Sequence, residues 1–209
     1  MKLKVPFFKQ MSELNCGFSA LKMVLAYFGE DFDIERLEKE TMIKEGKAIF
    51  SIQIATASAS LGHKTDFYSK HIFMNEENFK LDFYKKYAED NILSQSEKLV
   101  EDARKAGVHI HERKLSIEKL LLGITKDSIP IILLDWNIVM DRKEKGYQGH
   151  FVPVVGYDKE KVYIHNHGLN DTQEFMSVPK DIFDEARKAE GTDEDIVIIH
   201  RKSSTKNFK

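Results

Sequence analysis

The chain has a single thiol, Cys16, set in Gln10-(five residues)-Cys16-Gly17 at the start of an apolar helical pattern. Far downstream stand Gly149-His150-Phe151-Val152 and, sixteen positions after that histidine, Asn166. Cysteine attack on a carbonyl needs a base for the thiol proton, a group that orients the base, and donors for the developing oxyanion. His150, Asn166 and Gln10 are of the right types for those roles. A helix start beside Cys16 would favour thiolate, and an imidazolium from His150 would push the same way. Asn166, accepting from a ring N–H of His150, would fix its tautomer. Gln10 would join the Cys16 backbone N–H in an oxyanion hole. Gly17 would leave the approach to the sulfur open, Gly149 would line the substrate path, and Trp136 would shield the His150 to Asn166 hydrogen bond.

The elements that must hold these residues can be read from periodicity. Phe18, Leu21, Val24, Leu25 and Phe28 predict a helix opened by Cys16 and capped by Gly29. Helices are predicted over 34–41 behind Asp33 and over 51–61 before Gly62, where Ala55, Ala57 and Ala59 allow close packing. Two amphipathic helices fill 75–107, broken near 91–94, with Phe79, Phe83, Tyr84 and Tyr87 read as a buried stripe rather than a peptide groove. Strands follow at 108–113 and 129–136, and Ser116 caps a short helix between them. A hairpin joins 150–157 to 162–166, with Pro153 pointing to an edge or a bulge. A strand at 173–178, a helix opened by Pro179 and ending near Gly191, and a strand at 196–200 complete the series. Residues 191–195, Gly-Thr-Asp-Glu-Asp, read as a solvated acidic turn, with recognition of a basic substrate as the alternative.

Composition narrows the function classes. A length of 209 residues suits one domain, 1–209, with a mainly helical half over 1–107, a mainly sheet half over 108–201 and a disordered tail over 202–209. With 32 basic and 34 acidic residues interspersed and a net charge of −2, no footprint for nucleic acid or anionic membrane stands out. One cysteine forms no internal disulfide, and the start of the chain is too quickly charged to be a signal peptide, so a reduced, cytoplasmic setting is expected. No apolar run approaches a membrane span. His109-Ile110-His111 and His165-Asn166-His167 raise a metal site, but surface or strand-end histidines are the expectation, without a metal or another cofactor. His167 is read as a neighbour of the site by chance.

The spacing of Gln10, Cys16-Gly17, Gly149-His150 and Asn166 resembles the papain-like cysteine peptidases. The lead-in Val5-Pro6-Phe7 and the run from Gly149 to Asp158, followed by Val162 to Asn166, resemble the C39-like branch. Phe83-Tyr84, the segment 103–108, Ser116-Ile117-Glu118 and the run from Ala186 to Ile196 resemble proteins named as guanylyl cyclase domain-containing. The resemblance implies an α+β papain-like (C39-type) fold, a helical half carrying the Cys16 helix packed on an antiparallel sheet half. It implies Cys16 as nucleophile, His150 as base, Asn166 as orienter, Gln10 as oxyanion donor, and a peptide or protein substrate. The chain departs from the branch in having Asn15 before Cys16 and Asn166-His167 where Asp-Pro is common. An amide orients a histidine but adds no charge to support an imidazolium. The expected function is a cysteine hydrolase or thiol acyl transferase working through a thioester. The alternatives are a nucleotide cyclase, as the family name has it, which would need metal-binding carboxylates, and a non-catalytic binding module. Oligomeric state is left open by the sequence.

Overall fold

The computed structural model describes residues 1–41, 46–143 and 146–203. Most of the tail, 204–209, and two positions of the segment before Gly149 lie outside the described residues. The helices are α1 (Cys16–Tyr27), α2 (Ile34–Thr41), α3 (Ser51–Ser60), α4 (Asp82–Tyr87), α5 (Ser96–Lys105), α6 (Ile117–Leu122), α7 (Trp136–Val139) and α8 (Lys180–Ala186). The strands are β1 (Thr65–Ser69), β2 (His109–Glu112), β3 (Ser128–Asp135), β4 (Gly149–Tyr157), β5 (Lys161–Asn166), β6 (Gln173–Pro179) and β7 (Ile196–His200). They form one seven-stranded sheet in the order β2-β1-β7-β3-β4-β5-β6.

Helix α1 starts and stops where the apolar pattern says, because Gly29, at φ 91°, takes the left-handed turn that a side chain would resist. Gly62 does the same after α3. Asp33 accepts from the Arg36 N–H at 2.6 Å, as an N-cap for α2 should. Ala55, Ala57 and Ala59 are buried where α3 meets β1, β7 and α5. Strand β3 is buried along its whole length, as an interior strand with both faces covered must be.

Three expectations change. Strand β1 was not foreseen: Thr65, Phe67 and Ser69 are buried and alternate with half-buried Asp66 and Tyr68. It comes from the helical half and runs parallel to β2, so the sheet is mixed and draws on both halves. Pro153 lies in β4, which has neighbours on both sides rather than an edge. The irregularity is between Val154 and Gly156, in the ladder with β5. There the N-terminus crosses the strand: Lys2 bridges Gly156 and Leu3 donates to Val155 O at 2.7 Å. Finally, Trp136 is not the end of a strand but the first residue of α7, capped by Asp135, whose carboxylate accepts from Asn137 N at 3.0 Å.

The core under this sheet is formed by Leu21, Met23, Leu25, Ile54, Ile129, Ile131, Ile132 and Leu134, all essentially without solvent contact. Among the described residues no helix is long and apolar enough to cross a membrane.

Candidate active site

Helix α1 packs on β4, so the first residues of both meet. Cys16 is buried at that junction, and Gly17 is in van der Waals contact with what lies beyond it. A Cβ on Gly17 would come 2.5 Å from Ile49 Cγ2 and 2.9 Å from Ile54 Cδ1. The glycine therefore allows close packing against the segment leading into α3, a reason for it apart from the expected one of clearing a path to the sulfur. Asn15, the residue before Cys16, turns its side-chain oxygen back to the N–H groups of Met11 (3.2 Å) and Ser12 (3.1 Å). That fixes the turn feeding α1, a task an amide oxygen performs as well as a carboxylate.

Gln10, Trp136, His150 and Asn166 converge on one polar cleft of about 280 Å³. Cys16 opens instead into a neighbouring, mostly apolar cavity, and Glu13, Leu14, Phe83 and Gly149 line both spaces. A Cβ on Gly149 would come 2.7 Å from the Tyr147 hydroxyl and 3.2 Å from Phe83, so this glycine is the thin wall between the two. Phe79, Phe83 and Tyr84 face the cavity and Phe83 and Tyr87 the cleft. The aromatic stripe of 79–87 is thus a lining, contrary to the expectation that it only fills a core.

The hydrogen bonds drawn from spacing are not the ones formed. Asn166 donates through Nδ2 to Asp171 O and accepts at Oδ1 from Gly168 N (3.3 Å), which ties down its own loop. Gln10 donates through Nε2 to Ser12 O at 3.0 Å, and its buried Oε1 has no partner among the described residues. His150 Nε2 is buried and likewise without a partner there. Trp136 sets its ring 4.6 Å from that of His150, edge to face, so it shields the imidazole itself.

His167, read from sequence as a chance neighbour, is the link between the two halves. Its Nε2 lies 2.9 Å from Cys16 O, its Nδ1 3.1 Å from His165 O, and its ring 5.0 Å from that of His150. Its carbonyl accepts from Gln10 N at 2.9 Å. Both ring nitrogens face carbonyl oxygens, so a neutral ring serves only one at a time. The sequence signal was the His-x-His alternation at the end of β5, where His165 lies in the strand and His167 just past it.

Electrostatics at rest follow burial rather than the helix dipole. Burial pushes the Cys16 thiol up, against the opposing pull of backbone N–H groups, that of Phe151 foremost. Burial, with the charge His167 would carry, holds His150 well below the ordinary histidine value. His167 is lowered by burial as well, despite its two carbonyl partners. Both shifts favour the neutral thiol and the neutral imidazole, the opposite direction from the thiolate–imidazolium pair expected from the helix start.

The 191–195 turn also departs from expectation. Thr192 and Glu194 are buried, and Asp193 and Asp195 line the Cys16 cavity. Asp193 and Glu194 adopt φ 48° and 56°, the left-handed region that side chains resist. The turn is held by Arg187, fully buried, which donates to Asp184 at 2.7 Å and lies 3.6 Å from Glu194. The other histidine pair, His109 and His111, faces Asp66: His109 Nδ1 lies 3.6 Å from its carboxylate, and His200 joins them from β7. His111 Nε2 and His200 Nε2 each lie 2.9 Å from an oxygen of Asp66, across three adjacent strands. Among the described residues no three His, Cys, Asp or Glu side chains converge to hold a metal ion.

This is the architecture of C39 peptidase domains. A double glycine motif protease from an AMS/PCAT transporter, solved with its leader peptide, superposes with a TM-score of 0.51 at 17% identity, covering 97% of this chain and 94% of that one. A C39-like peptidase from Bacillus anthracis gives 0.53 at 20% identity over 97% of this chain and 99% of its own. By sequence the chain belongs to the family described as guanylylate cyclase, whose profile matches residues 5–199. It is 24% identical to Guanylyl cyclase 1 of Arabidopsis thaliana over 95% of this chain and 76% of that protein.

Proposed function

We propose that the protein is a cysteine hydrolase acting on peptide or isopeptide bonds. The observation that carries this reading is the meeting of Gln10, His150 and Asn166 in one cleft that shares its Gly149 wall with the cavity holding Cys16, on a peptidase fold. The solved relative with a bound leader peptide supports a peptide as the substrate class.

In the reaction, His150 takes the Cys16 thiol proton as sulfur attacks the carbonyl carbon. The tetrahedral oxyanion collapses to a thioester, and the leaving amine departs with the proton held by His150. Water then attacks the thioester with His150 again as base, releasing a carboxylic acid and the free thiol. The neutral resting pair becomes an ion pair only as the substrate carbonyl arrives. Gln10 has a second amide hydrogen free for the oxyanion, and Asn166 orients His150 once its loop bonds to Gly168 and Asp171 rearrange. The segment from Asn137 to Gly149 supplies Arg142 and Tyr147 to the two spaces and gates access.

The test is acyl-enzyme trapping. An activated peptide ester should add one acyl group to Cys16 by intact mass, hydroxylamine should release it, and His150→Ala should slow acylation about 100-fold or more. Turnover retained in Cys16→Ala would sink the reading. A binding module is the second reading, favoured by the buried thiol and by the His150 Nε2 that has no hydrogen-bond partner among the described residues. It requires that no acyl group accumulate while peptide still binds. The cyclase reading has the family match in its favour and requires metal-dependent conversion of GTP that survives Cys16→Ala.

A further inference from the structure

The cavity beside Cys16 carries polar groups that the hydrolytic chemistry leaves unused. Its volume is about 60 Å³. Ser51, 2% exposed, lines it with a hydroxyl that has no hydrogen-bond partner among the described residues. Asp195 lines it too, and its buried Oδ1 is without a partner. Asp193 contrasts with it: Asn75 and Asn78 donate to its carboxylate at 3.1 and 2.6 Å, so that acid is already satisfied. Much of the remaining wall is aromatic, chiefly Phe50, Phe79, Phe83 and Tyr84. Burial raises Asp195 to about 7; the Ser51 and Ser69 hydroxyls stand near enough to pull it down in part, though outside hydrogen-bond geometry with its Oδ1.

A buried acceptor and a buried hydroxyl left unpaired favour a ligand that brings donors, and aromatic faces favour a cation among donors. We propose that this cavity is the specificity pocket, taking a lysine or arginine side chain of the substrate with Asp195 as counter-charge, Ser51 as hydrogen-bond partner and the aromatic rings around the aliphatic stem. The assignment rests on the hydrolase reading only in placing that residue next to the bond Cys16 attacks. A flat base fits less well than a slender chain. Phe79 and Tyr84 meet at 44° and Phe83 and Tyr84 at 79°, while the nearly parallel pairs, Phe50 with Phe79 at 6.3 Å and Tyr84 with Tyr147 at 5.7 Å, stack on each other rather than flank an open slot. A norleucine or citrulline side chain would reach the pocket but leave the carboxylate without a cation.

The experiment titrates isotope-labelled Cys16→Ala protein with acetyl-arginine and acetyl-lysine N-methylamides and with their citrulline and norleucine counterparts, followed by amide chemical shifts. The charged probes should bind about tenfold tighter or better, with shifts centred on 191–195 and Ser51. Asp195→Asn should erase the preference, and Ser51→Ala, which keeps the carboxylate, should reduce it. Ser51→Ala also serves should Asp195→Asn fail to fold. Equal affinity for charged and neutral probes, shifts confined elsewhere, or guanosine binding that needs Asp195 and displaces the arginine probe would overturn the proposal. Because Cys16→Ala cannot form a thioester, a failed acylation test with the charge preference intact would overturn the hydrolase reading alone.

Discussion

His167 Nε2 stands 2.9 Å from the backbone carbonyl of Cys16, so the histidine immediately after Asn166 pins the first turn of α1 to the β5 end. Gln10 is tied to the same residue through its N–H. Replacing the ring with an aliphatic side chain, as in His167→Leu, leaves that buried contact unmade. We expect a loss of about 1–3 kcal/mol of stability, measured by urea unfolding. His167→Gln, which can donate to the same carbonyl, should recover part of it. Equal stability of wild type and His167→Leu would show that the contact is idle.

The resting state bears on thiol reactivity. With the thiol raised by burial and His150 Nε2 unpaired, iodoacetamide should label Cys16 slowly at pH 7. Its pH midpoint should lie above that of an ordinary thiol, and His150→Ala should change the ligand-free rate little. Fast labelling at pH 6 that collapses in His150→Ala would instead reveal a preformed ion pair.

Asp195 gives stability an unusual pH dependence. Its folded value of about 7 lies above the unfolded carboxylate value, so between those two pH values the folded state holds the extra proton. Stability from this group is present in full below about pH 4 and is lost as pH rises toward 7, on the order of 4 kcal/mol in all. Asp195→Asn removes that loss. The variant should be little changed near pH 4 and increasingly more stable than wild type from pH 5 to pH 8. A stability difference independent of pH would contradict the burial of this carboxyl.

The histidines act in the opposite sense. His150, His165 and His167 are all held below the ordinary value by burial. Unfolding therefore takes up protons below about pH 6.5, the ordinary histidine value, and stability falls as pH drops. In Asp195→Asn protein, which lacks the opposing carboxyl, melting temperatures followed from pH 7 to pH 5 should decline, and less steeply when His150→Gln is added. A flat profile would show that these rings are already charged in the folded protein.

Gly17 offers a packing test. A methyl there meets Ile49 and Ile54 well inside contact distance, so Gly17→Ala should cost about 1–3 kcal/mol by denaturant titration. An unchanged midpoint would leave the substrate path as the reason for the glycine.

The sequence revealed those elements whose signals are local. Helices α1 and α3 end at glycines with left-handed backbone, and the β4–β5 hairpin alternates around a polar turn, so both could be read in advance. Strand β1 was missed because five residues with one large buried side chain, Phe67, carry little periodicity; β2 and β7, distant in sequence, make it a strand. The 191–195 turn looked solvated because its composition is polar. Its burial comes from Arg187 and from its position just before a central strand, neither of which spacing discloses. Of the candidate site, the residue types were legible, while the partners of Asn166 and Gln10 and the part played by His167 depend on loop conformation.

The place of β7 in the sheet has a consequence for the order of synthesis. Ile196–His200 pairs with β1 on one side and β3 on the other, so a ribosome must pass residue 200 before the two parts of the sheet can join. Until then a growing chain presents two unmatched strand edges, hazards for aggregation that call for chaperone cover. The 191–195 turn cannot settle sooner either. Cys16, though made among the first residues, gains its full surroundings only when nearly the last strand has emerged.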